Sequence, residues 1–142
     1  MNDRARENLE RTVRQRVPPA ALRDLSPAAR KLARPRRAGL AAWGTKAGEN
    51  DTNVGTWLAM RGGDWVLFYF DGLFPVCARV LFTEHSPAAA KRLWGEDGGE
   101  TWEYMYLLDE VRQVDIPRLP ANRKLGYRSS FHPRRFSRVA RD

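Results

Sequence analysis

Trp65-Val66-Leu67-Phe68-Tyr69-Phe70 is the longest unbroken apolar run in the chain, and its reading decides the fold. Aromatic and β-branched residues dominate it, and at six residues it is too short for a buried helix. It therefore reads as a strand buried on both faces. The turn Arg61-Gly62-Gly63-Asp64 introduces it. Asp71-Gly72 follows, a dipeptide suited to the tight turn that joins two antiparallel strands, so Val76–Thr83 is predicted to return as its hairpin partner.

Downstream, Ser86-Pro87 pairs a helix-capping hydroxyl with proline at the first helical position, which predicts a helix that ends at Trp94-Gly95. Gly95–Glu100 reads as an open, solvated, acidic loop, and Trp102–Val111 as a long strand. Ile116-Pro117 opens a short helical stretch to about Leu125, and Gly126–Val139 is turn-rich, basic and aromatic. Upstream, residues 3–16 suit a helix with few apolar positions, which Pro18-Pro19 stops. Ser26-Pro27 repeats the capped opening, for a helix through Arg34 that Pro35 closes. Strands with interposed short helices predict an α+β fold on a curved sheet or closed pseudo-barrel. The expected division is a basic, partly helical arm over 1–37, which docks or stays mobile, and a folded body over 38–142 that includes a basic tail.

Charge follows the same division. Residues 1–39 have a net charge of +7, residues 40–117 of −6 and residues 118–142 of +7, within a total of +8. Such segregation suits a polyanionic partner, because each cation set against a phosphate releases a condensed counterion. Arginine outnumbers lysine 21 to 4, which partly reflects the codon bias of a GC-rich genome. The N-terminus is charged and has no apolar stretch of signal-peptide length, which predicts a cytosolic, nucleoid-associated setting. The one cysteine, Cys77, reads as core and excludes an internal disulfide.

The tests for catalysis come back empty. The two histidines, His85 and His132, are too few for a histidine-metal nuclease. No E-x-K follows an acidic strand end, and Ser86 lacks a G-x-S-x-G frame. Gly62-Gly63 and Gly98-Gly99 lack phosphate-loop or dinucleotide spacing. No enzyme activity, cofactor or metal is expected.

Five tryptophans are the better lead. Trp65 and Trp102 open apolar strands and read as core. Trp43, before Gly-Thr-Lys-Ala-Gly, and Trp94, before the acidic loop, read as standing at the mouths of turns. A tryptophan so placed either lids a core or offers its flat face to a base drawn out of its stack.

The stretch from Trp43 to Val139 resembles the EVE and YTH-like branch of the PUA superfamily. The residues that match are Trp43-Gly-Thr45, Gly63-Asp-Trp-Val-Leu-Phe-Tyr69, Cys77-Ala-Arg-Val80 and Leu93-Trp94. They continue with Trp102–Val111, Asp115-Ile-Pro117, Leu125-Gly-Tyr127 and Arg135-Phe136-Ser-Arg-Val139. The ordered set is most similar to the EVE-like modules of bacterial modification-dependent restriction enzymes. The resemblance implies a pseudo-barrel whose aromatic cage accepts a flipped, modified base. Trp43 and Trp94 match two cage walls, and Trp57 is the candidate for the third. Thr45, Asn53 and Asp71 are candidates for the polar edge of the base. Lys46, Arg128, Arg134, Arg135 and Arg138 are candidates for phosphates. Modified double-stranded DNA is the expected partner, with RNA or a separate nuclease subunit as alternatives, and no membrane is expected.

Overall fold

The computed structural model describes residues 3–130 and Phe136. Among these residues the chain is α+β, with one four-stranded antiparallel sheet curled into a half-barrel. The strands are β1 (Ala41–Thr45), β2 (Trp65–Phe70), β3 (Leu73–His85) and β4 (Tyr104–Pro117), in the spatial order β1-β4-β3-β2. The helices are α1 (Asp3–Leu9), α2 (Pro27–Ala33), α3 (Thr52–Leu58), α4 (Pro87–Trp94) and α5 (Arg118–Leu125). A π-helical turn, Glu10–Arg14, extends α1, and a 3-10 turn, Pro19–Leu22, precedes α2.

The curl comes from the long β3–β4 pair, whose register shifts at Phe74/Val76, Cys77/Arg79 and Val80/Phe82. The first two shifts put an extra residue into β4, where Glu110 (φ 49°) and Asp115 (φ 46°) take the left-handed conformation. Each such bulge bends the strand and adds twist. The β2–β3 hairpin closes through Asp71 (φ 50°) and Gly72 (φ 79°), as the dipeptide predicts. Both strands of the central pair are longer than their sequence-based bounds.

β2 itself differs from expectation. It is an edge strand, and its outer side chains are solvated, with Trp65 49% and Leu67 38% exposed. Only Phe68 and Phe70 are buried. A continuous apolar run cannot distinguish a central strand from an edge strand with one wet face, because both lack polar alternation. Cys77 pairs with Leu67 in the same region and is half-buried, not core.

The N-terminal segment is docked, and residues 37/38 do not separate two bodies. On one face of the sheet, Leu9 and Val13 pack with Ala41, Phe68, Phe70, Val76, Ala78, Val80, Tyr106 and Leu108. On the other face, Val17, Leu22, Leu25, Ala29 and Ala33 join Leu40, Ala42, Ala89, Leu93, Trp94, Met105 and Leu107. Val17 and Leu40 exchange two backbone hydrogen bonds, of 2.7 and 3.0 Å. Both predicted Ser-Pro caps form: Ser26 accepts from Ala29 N (3.3 Å) and Ser86 from Ala89 N (3.2 Å). Arg92 on α4 ion-pairs with Asp24 and holds its carboxyl below the usual range.

A separable arm would tolerate truncation of its apolar side chains. Instead, Leu22→Ala should cost about 2–5 kcal/mol, since it empties a fully buried site under α4. Urea denaturation of the whole chain would read this loss as a lower midpoint at unchanged slope.

Candidate nucleic-acid interface

Strand register builds an aromatic row at one end of the α1 face. Trp43 lies opposite Tyr106, and Thr45 opposite Tyr104, across β1 and β4. On the other side of β4, Tyr106 faces Thr83 and Tyr104 faces His85. Directly opposed residues in antiparallel strands share a face, so these six side chains form two cross-strand rows. The Trp43 ring stands edge-on to Phe68, with centroids 5.4 Å apart. Tyr104 stacks on His85 at 4.6 Å and meets the Trp57 ring edge-on at 5.3 Å. Tyr106 stacks on Phe136 at 5.9 Å. Trp43, Trp57 and Tyr104 are half-buried. Tyr106 lies beneath them, and burial holds its phenol far above the ordinary value, so it stays neutral.

Polar groups at this end are already oriented. Trp57 on α3 donates from Nε1 to the Met105 carbonyl (2.9 Å), which fixes its ring. His85 Nε2 lies 2.8 Å from Glu103 Oε1. Asn53 Nδ2 donates to the Lys46 carbonyl (3.1 Å), while its backbone N–H donates to Ala47 (3.0 Å). Those two bonds fold the 46–53 connection onto itself. Thr45 Oγ1 also donates to the Lys46 carbonyl, at 3.1 Å.

The structure therefore gathers Trp43, Thr45, Lys46, Asn53 and Trp57 at one end of the sheet. Trp43 belongs to the middle of β1 and not to a turn mouth. Trp94 differs from the cage reading. It is 4% exposed, its Nε1 donates to Thr12 Oγ1 (3.3 Å), and its ring meets Trp43 edge-on at 6.4 Å. It braces Trp43 from behind and offers no face to a ligand. Asp71 caps the hairpin at the opposite end of the β3–β4 pair, in an ion pair with Arg6. Arg128 is exposed beyond α5, where its carbonyl accepts from Asn122 Nδ2 (3.1 Å). Arg134, Arg135 and Arg138 lie outside the described residues.

The basic N-terminal block is partly used within the fold. Arg4 and Arg11 donate to the last carbonyls of α4, Trp94 O (2.8 Å) and Leu93 O (3.0 Å), where cations suit the helix C-terminus. Arg14 pairs with Glu10 (2.7 Å), and Arg36 lies 3.7 Å from Asp109. Arg30, Lys31, Arg34 and Arg37 are exposed on and just after α2, in the layer over the opposite face of the sheet.

The acidic loop is a tight turn and not an open segment. Asp97 and Glu100 exchange backbone hydrogen bonds (2.8 and 3.1 Å), and their carboxylates lie 2.8 and 3.9 Å from Lys46 Nζ. Hydrogen bonding and charge from Lys46 hold the Asp97 carboxyl below its usual range. Trp102 lies beneath, with Lys46 Nζ and the Arg4 guanidinium each 5.1 Å from its ring centroid. It precedes β4 and is half-buried, as a platform for these cations.

Elsewhere, the Arg61–Asp64 turn helps frame a cleft of about 320 Å³ lined by Gly62, Gly63, Arg79, Val80, Leu81 and Asp109, none of them aromatic. Among the described residues no cluster of three His, Cys, Asp or Glu side chains gathers as a metal site, and no helix is long and apolar enough to cross a membrane.

Reading the sequence misses Tyr104, Tyr106, His85 and the whole of α3. The signal for the tyrosines was available: Tyr104-Met-Tyr106-Leu-Leu108 places alternate residues on one face. In comparisons with protein-family models, curated proteins and solved structures, the chain matches none.

Proposed function

We propose that this chain is a non-enzymatic nucleic-acid-binding module of the PUA type, which takes a modified base extruded from duplex DNA. The observation that carries the reading is the row of half-buried aromatics, Trp43, Trp57 and Tyr104, at one open end of the curled sheet in a chain of net charge +8. A flat partner stacked there meets rings already held by Phe68, Trp94 and the Met105 carbonyl, so little ordering is left to be done at binding. The ordered match of residues from Trp43 to Val139 supports the family assignment, and the charge supports a polyanionic partner. The basic tail supplies salt-sensitive affinity common to all sequences, and the exposed cations of α2, over the other face of the sheet, add to the overall field.

Energetics favour moderate selectivity. Stacking a base on an aromatic wall contributes about 1–3 kcal/mol, against a few kcal/mol to extrude it. Burying a methyl group adds about 0.8 kcal/mol, a discrimination of several-fold.

The test is a gel-shift competition at about 150 mM salt. It sets one duplex, unmodified, against versions with 5-methylcytosine, 5-hydroxymethylcytosine or N6-methyladenine, and against the matching RNA. Preference for one modified duplex is the expected result, and Trp43→Ala should bring that preference down to parity while leaving the salt dependence in place. Equal binding of every duplex by the wild-type chain would reduce it to a general polyanion binder. A tighter complex with RNA would reassign the ligand.

A further inference from the structure

Lys46 continues directly from the Trp43-Gly44-Thr45 strand, and its side chain lies over the Trp102 ring on the side of the acidic turn. Its ammonium is already occupied, at 2.8 Å by Asp97 and at 3.9 Å by Glu100. The two carboxylates are presented by one rigid turn. Gly98 (φ 60°) and Gly99 (φ 79°) supply two successive positive dihedrals, which residues with a Cβ rarely adopt. Thr101 is buried and donates from Oγ1 to the Gly95 carbonyl (2.9 Å), which closes the base of the turn. The third acid of the segment, Glu96, takes no part and pairs instead with Lys91 (2.9 Å). Beneath Lys46, the Trp102 ring carries both it and Arg4.

A pair of carboxylates held this way offers an ammonium the same kind of anionic oxygens as a phosphate diester. Building on the nucleic-acid reading above, we propose that Lys46 is a phosphate contact kept occupied by the Gly95–Glu100 turn, which stands in for the phosphate and yields it when nucleic acid binds. The turn is thus an internal competitor. A weakly held polyanion must displace it without the help of stacking, whereas a ligand also stacked on the aromatic row stays bound while the exchange occurs. Exposed ion pairs are weak, so the competition lowers affinity by roughly two- to five-fold and does not abolish binding.

The experiment is fluorescence anisotropy with a labelled duplex over a salt series, on the full chain. Asp97→Asn combined with Glu100→Gln should raise affinity about two- to five-fold. The slope of log affinity against log salt should stay as in the wild type, because the same phosphate is contacted once the turn has yielded. Adding Lys46→Gln to that pair should remove the gain and flatten the slope by about 0.9, the loss of one phosphate contact. Glu96→Gln alone, which deletes one charge from the same segment without freeing Lys46, should leave affinity and slope unchanged. Urea midpoints of the variants check that each is folded. An equal gain from Glu96→Gln, or a gain that survives Lys46→Gln, would identify a general field effect and overturn the proposal. Wild-type binding with no gain in the double variant overturns this proposal alone. Absence of binding by every variant overturns the nucleic-acid reading, and this proposal with it.

Discussion

Trp94→Ala should destabilise the protein by about 3–5 kcal/mol, a large share of the roughly 5–15 kcal/mol that holds a domain of this kind folded. The ring fills the space between α4, the π-helical turn and the edge of β1, and its N–H satisfies Thr12. Thr12 in turn donates to the Ala42 carbonyl (2.7 Å), a group on the outer edge of β1. Deleting the indole leaves a cavity and strips the buried Thr12 hydroxyl of its donor, so two costs add. Trp94→Phe keeps one ring in the site but loses the N–H and the rest of the indole, and should cost about 1–3 kcal/mol, less than Trp94→Ala. The comparison with Trp43→Ala is the informative one. Trp43 is half-buried, so its truncation should spend most of its effect on ligand preference, while truncation of Trp94 acts on the fold. Equal urea midpoints for Trp94→Ala and wild type would show that the ring is not the brace described here.

Gly44→Ala should be nearly as damaging, at about 3 kcal/mol or more, although it adds a single methyl group. A Cβ at Gly44 would lie 2.2 Å from the Trp102 carbonyl oxygen and 3.1 Å from Cζ3 of Trp94. The first contact is with backbone, so it cannot be relieved by rotating a side chain. Either β1 leaves its register with β4 or the segment before β4 moves, and Lys46 loses its Trp102 platform with it. Gly55→Ala is the control: nothing lies within 4 Å of that Cβ. Gly55 is inside α3, so the substitution should stabilise by about 0.5–1 kcal/mol. Loss of thermal stability in Gly55→Ala comparable to that of Gly44→Ala would mean that the β1 contact is not what matters.

Local chemistry was legible in the residues. The Asp71-Gly72 hairpin, the two Ser-Pro caps and the stop at Gly95 each depend on a few neighbours, and each forms as read. Properties that depend on distant partners were not legible. Trp65-Val-Leu-Phe-Tyr-Phe70 looks alike whether one or two strands flank it, so the wet face of β2 was missed. The segment 3–16 shows few apolar residues, yet Leu9 and Val13 suffice, because a concave sheet surrounds each of them. α3 escaped notice because Thr, Val, Gly and Trp are poor helix formers, and Trp57 is held by Met105 rather than by propensity. At the candidate site, Trp43, Thr45, Lys46 and Asn53 were named from sequence, and the structure brings them to one end of the sheet. Trp94 was assigned to the wrong side of Trp43, because a tryptophan before a glycine reads the same inside the core and at its rim.

The strand order has a consequence for synthesis. β1 pairs only with β4, and Leu9, Val13 and Leu22 pack against strands and helices made later than themselves. As the chain leaves the ribosome, β1 therefore has no sheet partner until β4 has emerged, although Leu9 and Val13 also pack on β2 and β3. The β2–β3 hairpin is the one sheet contact available early, and it is the part richest in exposed aromatic surface. The β1 edge can therefore join the sheet only after β4 is made, and the arginines that brace α4 belong to the segment that waits with it.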